Sequence, residues 1–198
     1  DESLARLGQW PWPRTRIADL TARLQSAGAA ALAYDVIFAE ADRTSPDAML
    51  QTWAAPPGLR EVLSGLPDHD ALLARTFARG SVVVGHALQQ GGIPPARFAR
   101  PYRFANAGPS PLPHLHGFDG SVAALPALQN AAAGNGALSF LPDTDGVVRR
   151  VPLLLRMGDE PIPSLVAEAL RVSQGEATYT VTTSPEAGAG LESVGIGA

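Results

Sequence analysis

Two acidic runs hold most of the chemistry this sequence could perform. Asp143-Thr144-Asp145-Gly146 sets carboxylates at alternating positions of a tight turn, where they can converge on a hard cation such as calcium. The EF-hand template fails, because alignment on Gly146 puts Leu141 at its first ligand position and Pro152 at its last. An Asp-capped hairpin turn is the competing reading. The second run is Asp35, Glu40 and Asp42, at the end of an otherwise apolar stretch, Ala30 to Phe38. Parallel strands deliver such C-terminal acids to one sheet edge, although solvated loop charge equally accounts for Glu40 and Asp42. Asp35 lies inside the apolar run, where a buried ionised acid needs a partner. Arg14 and Arg149 are the candidates, and the pair is expected close to the Asp143–Asp145 turn. Both arginines suit a structural ion pair and, as a second role, a clamp on an anionic ligand.

Trp10-Pro11-Trp12-Pro13-Arg14 concentrates two of the three tryptophans beside an arginine. The prolines hold Trp10 and Trp12 extended, so both indoles are expected to be at least partly buried, with Trp12, Arg14, Asp35 and Arg149 the candidate ligand contacts. The histidines offer less. His114 and His116 share a side if extended but have no third ligand in reach for zinc, and His69 and His86 have no partner that sequence nominates. Gly134-x-Gly136 follows a helix and lacks the strand-to-helix setting of a dinucleotide loop. No Gly-x-Ser-x-Gly elbow or Walker loop occurs.

The positioning elements alternate. Thr15 opens a helix with Ile17, Leu20 and Leu24 on its apolar stripe and Gly28 as its stop, followed by the strand at Ala30 to Phe38. Residues 46–66 form a Pro/Gly-interrupted excursion with a short helix near Asp47 to Trp53. Asp68 opens a second helix, carrying Leu73 and Phe77, and Gly80 ends it before a strand at Ser81 to His86. Residues 89–124 read as a long irregular loop with an extended piece at Tyr102 to Ala105. A helix at Leu125 to Ala133, a β-hairpin over 137–157, a helix with Pro163 in its first turn, and a strand at Thr178 to Thr183 complete the chain. The pattern predicts an α/β fold with a predominantly parallel or mixed sheet and helices on its faces. Residues 1–183 form one domain and the Gly/Ala-rich 184–198 a linker.

Composition narrows the classes. The net charge of −4 and dispersed arginines provide no field for nucleic acid. The absence of cysteine removes disulfides, thiolate metal sites and cysteine nucleophiles. No apolar run reaches the roughly 18 residues of a membrane span.

The Trp10-to-Arg14 run, the preceding Asp-Glu-Ser-Leu, Asp35-Val36-Ile37-Phe38, Asp143-to-Arg150 and Ile162-Pro163-Ser164-Leu165 together resemble the second type of CHASE domain, a sensory domain associated with bacterial cyclases and histidine kinases. The resemblance implies a non-catalytic, periplasmic or extracellular input domain of an inner-membrane receptor, without a cofactor. The output would be an adenylate, guanylate or diguanylate cyclase or a histidine kinase. It further implies a small-molecule or protein signal, a homodimer formed through the full-length receptor, and membrane attachment only through flanking segments. Asp1-Glu2-Ser3 matches the end of the family's first strand, so a strand is expected upstream of an excised fragment, leaving a sheet edge open near Ala30–Phe38. Two alternatives stand beside this: a metal-dependent α/β hydrolase using Asp35, Asp143 and Asp145, and a dimerisation module anchored by the tryptophans.

Overall fold

Val82 to Gln89, almost wholly buried, is the strand around which the chain assembles. The computed structural model describes residues 2–54, 56–91, 99–184, 186 and 190–197; Asp1, part of the 89–124 loop and part of the 184–198 tail lie outside them. In order, the elements are α1 (Glu2–Leu7), α2 (Arg14–Ser26), β1 (Leu32–Tyr34), α3 (Pro46–Thr52), α4 (Pro57–Ser64), α5 (His69–Phe77), β2 (Val82–Gln89), β3 (Arg103–Ala107) and β4 (Gly117–Phe118). There follow β5 (Gly120–Val122), α6 (Pro126–Ala131), β6 (Gly134–Ala137), β7 (Leu154–Met157), β8 (Glu160–Pro163), α7 (Leu165–Ser173), β9 (Thr178–Thr183) and β10 (Leu191–Ile196).

β2 has parallel neighbours in β1 and β6, and its C-terminal half pairs antiparallel with β5. The α/β reading with a mixed, mainly parallel sheet therefore holds. Helices α2, α5 and α6 cover one face, burying Ile17, Leu73, Phe77 and Leu128 against Val82, Val84 and Phe38. By the pleat, Val83 points to the other face, where α7 packs on β6 and β2. Gly134 and Gly136 make that approach possible. A Cβ at Gly136 would stand 2.6 Å from Leu165 Cα, and one at Gly134 2.6 Å from Glu168 Oε1. Close helix packing accounts for this glycine pair. Two smaller sheets complete the body: β10-β9-β3, and β4-β7-β8.

Several expectations need correction. The apolar run 30–38 supplies only Leu32–Tyr34 as strand. In α2 the buried residues are Ile17, Ala18 and Thr21, whereas Leu20 and Leu24 are exposed. Thr21 is tolerated inside because its hydroxyl donates to Ile17 O and is shared with the Tyr34 hydroxyl. No β-hairpin spans 137–157, because β6 pairs in parallel with β2 and the hairpin is instead β7–β8, turning at Gly158. Pro163 closes β8, and Ser164 caps α7 by accepting from Ala167 N. The stretch 191–196 is no linker, since β10 pairs with β9 and packs Val194 and Ile196 beside Tyr179. Glu2–Leu7 is an exposed helix rather than a strand end.

Gly136→Ala should destabilise the chain by about 1–3 kcal/mol, as overpacking does, because the added methyl meets backbone. Gly58→Ala, which meets open space, should stay within about 0.5 kcal/mol of the parent. Urea melts of the two variants check the contrast.

Candidate functional site

Arg14 belongs to a buried clasp rather than to a ligand pocket. Its Nε lies 3.1 Å from Asp70 Oδ1, with the two side chains 11% and 9% exposed. The guanidinium also donates to Glu40 O and stands 4.6 Å from the centre of the Phe38 ring. The first helical N–H of α2, on Arg14, donates to Asp42 Oδ2 at 2.7 Å, so a distant acid caps the helix where Pro13 cannot. Asp42 accepts in addition from Thr44 N and Oγ1 and lies 3.1 Å from His69 Nδ1. Burial pushes its carboxyl up, but bonds from Arg14, Thr44 and His69 outweigh burial and hold it below its ordinary value. Asp70 Oδ2 closes the circuit by accepting from Asp42 N at 2.8 Å. Asp68 caps α5 through Ala71 N, and Ser45 bridges Asp68 to His69 N.

The expected Asp35 pair is overturned. Asp35 is solvent-exposed, because the strand ends at Tyr34 and the apolar run continues as irregular backbone. The acids that serve Arg14 are Asp42 and Asp70. Arg149 instead reaches both acids of its own turn, Asp145 through two bonds and Asp143 through one, all exposed. That guanidinium holds the Asp145 carboxyl below its ordinary value. The cation between these carboxylates is thus an arginine. Among the described residues no three His, Asp or Glu side chains are grouped so as to hold a metal, so Asp35, Asp143 and Asp145 do not converge as a hydrolase site requires. Trp12 packs on the core and donates its indole N–H to Gly8 O. Trp10, edge-on to Trp12 at 5.6 Å, is 47% exposed, which corrects its expected burial.

The better-built concavity lies in the segment read as an irregular loop. Tyr102, Phe104 and Asn106, alternating along and just before β3, present one face to a cleft of about 300 Å³, at the low end of ligand pockets. Arg100 extends that wall, Asp159, Glu160 and Pro161 of the β7–β8 hairpin line it too, and Ser110, Pro111 and Leu112 complete it. Arg100 is paired with Glu160. Phe104 stacks on Tyr179 at 5.1 Å and meets Tyr102 edge-on at 5.6 Å. Among the described residues the buried Tyr102 hydroxyl has no hydrogen-bond partner, and a phenol left so costs about 1–3 kcal/mol. Of two larger hollows, one is lined only by the exposed helix α1 and the other by α3 and the turn before it.

Beneath the aromatic floor lies a fully buried ion pair. Glu168 receives two bonds from Arg171, at 2.7 and 2.8 Å, and one from the Tyr179 hydroxyl at 2.7 Å. Arg171 also donates to Ala133 O and Glu176 O, joining α7 to the start of β6 and to β9. Burial, then the Glu168 charge, raises the Tyr102 and Tyr179 phenols, so both remain protonated donors. His86, buried in β2, is pushed down to about 4 by burial and by the nearby Arg100 charge, and is neutral near pH 7.

Sequence reasoning missed Arg100, Tyr102, Phe104 and Asn106. The available signal is the alternation Tyr-x-Phe-x-Asn, of which the extended piece at Tyr102 to Ala105 holds Tyr102 and Phe104.

The family model described as CHASE2 domain matches residues 1–194. No curated protein and no solved structure matches the chain.

Asp70→Ala strands Arg14 and should destabilise by about 3–5 kcal/mol, whereas Asp35→Ala should change stability by less than about 0.5 kcal/mol. Denaturant midpoints separate the two. Asp42→Asn tests the sign of the carboxyl linkage. The stability Asp42 supplies is complete above its unfolded value of about 3.9 and is lost as pH falls through the lower folded value. The variant should therefore be less stable at neutral pH, with the gap to the parent narrowing in melts taken in increasingly acid buffer.

Proposed function

The chain belongs to the CHASE2 domain family, and from that premise we propose that it is the non-catalytic, extracytoplasmic input domain of a bacterial transmembrane receptor. The family consists of extracellular sensory domains of signalling receptors. In this proposal a cyclase or histidine kinase on the cytoplasmic side is the output, and segments flanking residues 1–198 supply the inner-membrane anchors. None of the helices among the described residues is long and apolar enough to cross a membrane. The observation that carries the reading is a family match that runs through all three sheets, so the input function is proposed for the whole fold rather than for a lobe. The signal is proposed to be a small molecule taken by the cleft at Tyr102 and Phe104.

A sensor requires two states that differ in affinity for the signal. The cleft supports this, because one wall belongs to the β10-β9-β3 sheet and the other to the β4-β7-β8 sheet. A ligand between them can bias how the two sheets stand, and their shared attachment to α7, through Tyr179 on one side and β8 on the other, offers a route into the main sheet. The homodimer is proposed to form through the intact receptor.

Removing residues 1–194 in frame from the intact receptor should leave an output enzyme whose activity no longer answers to the external medium. Output measured in spheroplasts across changes of medium checks this. Regulation that survives the deletion unchanged would falsify the input role.

A further inference from the structure

The cleft between β3 and the β7–β8 hairpin carries charges of both signs over an aromatic floor. The geometry points to a small zwitterion, a free α-amino acid with an apolar or aromatic side chain, as its ligand. This rests on reading the domain as a sensor and names the chemistry that its site accepts.

The charges decide the class. Arg100 and Glu160, one from each wall, are paired with each other, and Asp159 stands next to Glu160. A simple organic anion would take Arg100 and leave Glu160 beside Asp159, two adjacent carboxylates without a cation, which repel. A simple amine would be met by the exposed Asp159 and would leave the Arg100–Glu160 pair closed. A zwitterion exchanges with that pair without stranding either member. Its carboxylate takes the planar guanidinium fork, and its ammonium takes Glu160 and Asp159.

The remaining lining suits the rest of such a molecule. Tyr102 and Phe104 offer aromatic surface for an apolar side chain, held rigid from below by the stack of Phe104 on Tyr179. Asn106 and Ser110 add uncharged donors and acceptors farther along the wall. The volume of about 300 Å³ is enough for one amino acid.

The 198-residue chain is titrated with three probes: L-phenylalanine, 3-phenylpropionate, which keeps only the carboxylate, and 2-phenylethylamine, which keeps only the ammonium. Calorimetry gives affinity, and amide chemical shifts locate the site. L-Phenylalanine should shift the amides of Arg103 to Asn106 and of Glu160, and each half-probe should bind at least about tenfold more weakly. Arg100→Gln and Glu160→Gln should each weaken L-phenylalanine by at least about tenfold at an unchanged melting temperature. If either variant melts early, Asn106→Ala, on an exposed residue, gives a second reading of the same wall and should also weaken binding. Equal affinity for the three probes, shifts confined to residues away from the cleft, or no binding of L-phenylalanine overturns the ligand class. None of those results touches the input role, which the in-frame deletion tests in the receptor without any ligand.

Discussion

The charge on Arg14 has to be neutralised inside the protein, and much of the first half of the fold is arranged to do it. Arg14 starts α2, Asp70 lies in the first turn of α5, and Asp42 comes from the loop between them. Those segments are joined through side chain and backbone alike, so the two helices meet the sheet at one fixed place. Phe38 is held against the guanidinium and against Phe77, which connects the ionic clasp directly to the apolar core. A buried charge is tolerable when its hydrogen bonds are filled, and here each polar group serves two elements. Register is thus set by ionic chemistry in a region where apolar packing alone is permissive.

A second buried charge organises the other half. Glu168 and Arg171 lie one turn apart on α7, and neither could enter the interior alone. Together, with Tyr179 and the Ala133 and Glu176 carbonyls, they bind α7 to β6 and β9. The two glycines of β6 let that helix sit close enough for the contact. The aromatic floor of the cleft rests on this network, because Tyr179 donates to Glu168 with its hydroxyl and stacks on Phe104 with its ring. A change in the cleft is therefore one bond away from a rigid ionic unit, a short physical path from a surface pocket to the central sheet.

The two networks divide the labour. The Arg14 clasp has every carboxylate oxygen of Asp42 and Asp70 occupied by protein donors and has no vacancy to offer. The cleft carries, among the described residues, a buried phenol without a partner and a partly exposed ion pair in its lining. That difference in satisfaction, more than residue type, separates an internal strut from a place where a ligand can contribute.

Short-range physics governs the features that can be read along the chain. Proline and glycine punctuation with apolar spacing located α2, α5 and β9, Asp68 declared itself as a cap, and apolar runs beside helical stripes required a mainly parallel sheet. The family resemblance was equally legible, since it rests on local runs such as Trp10-to-Arg14. Which charge meets which depends on the folded arrangement. Asp35, Asp42 and Asp70 look alike in one dimension; Arg14 selects the last two because the strand stops at Tyr34 and leaves Asp35 in water. The cleft was hidden for a related reason. Arg100 and Glu160 are far apart along the chain, and β3 is a strand because it pairs with β9, a partner that no local pattern names. Pairings over such separations follow from the closure of the whole fold, and the candidate site is built from them.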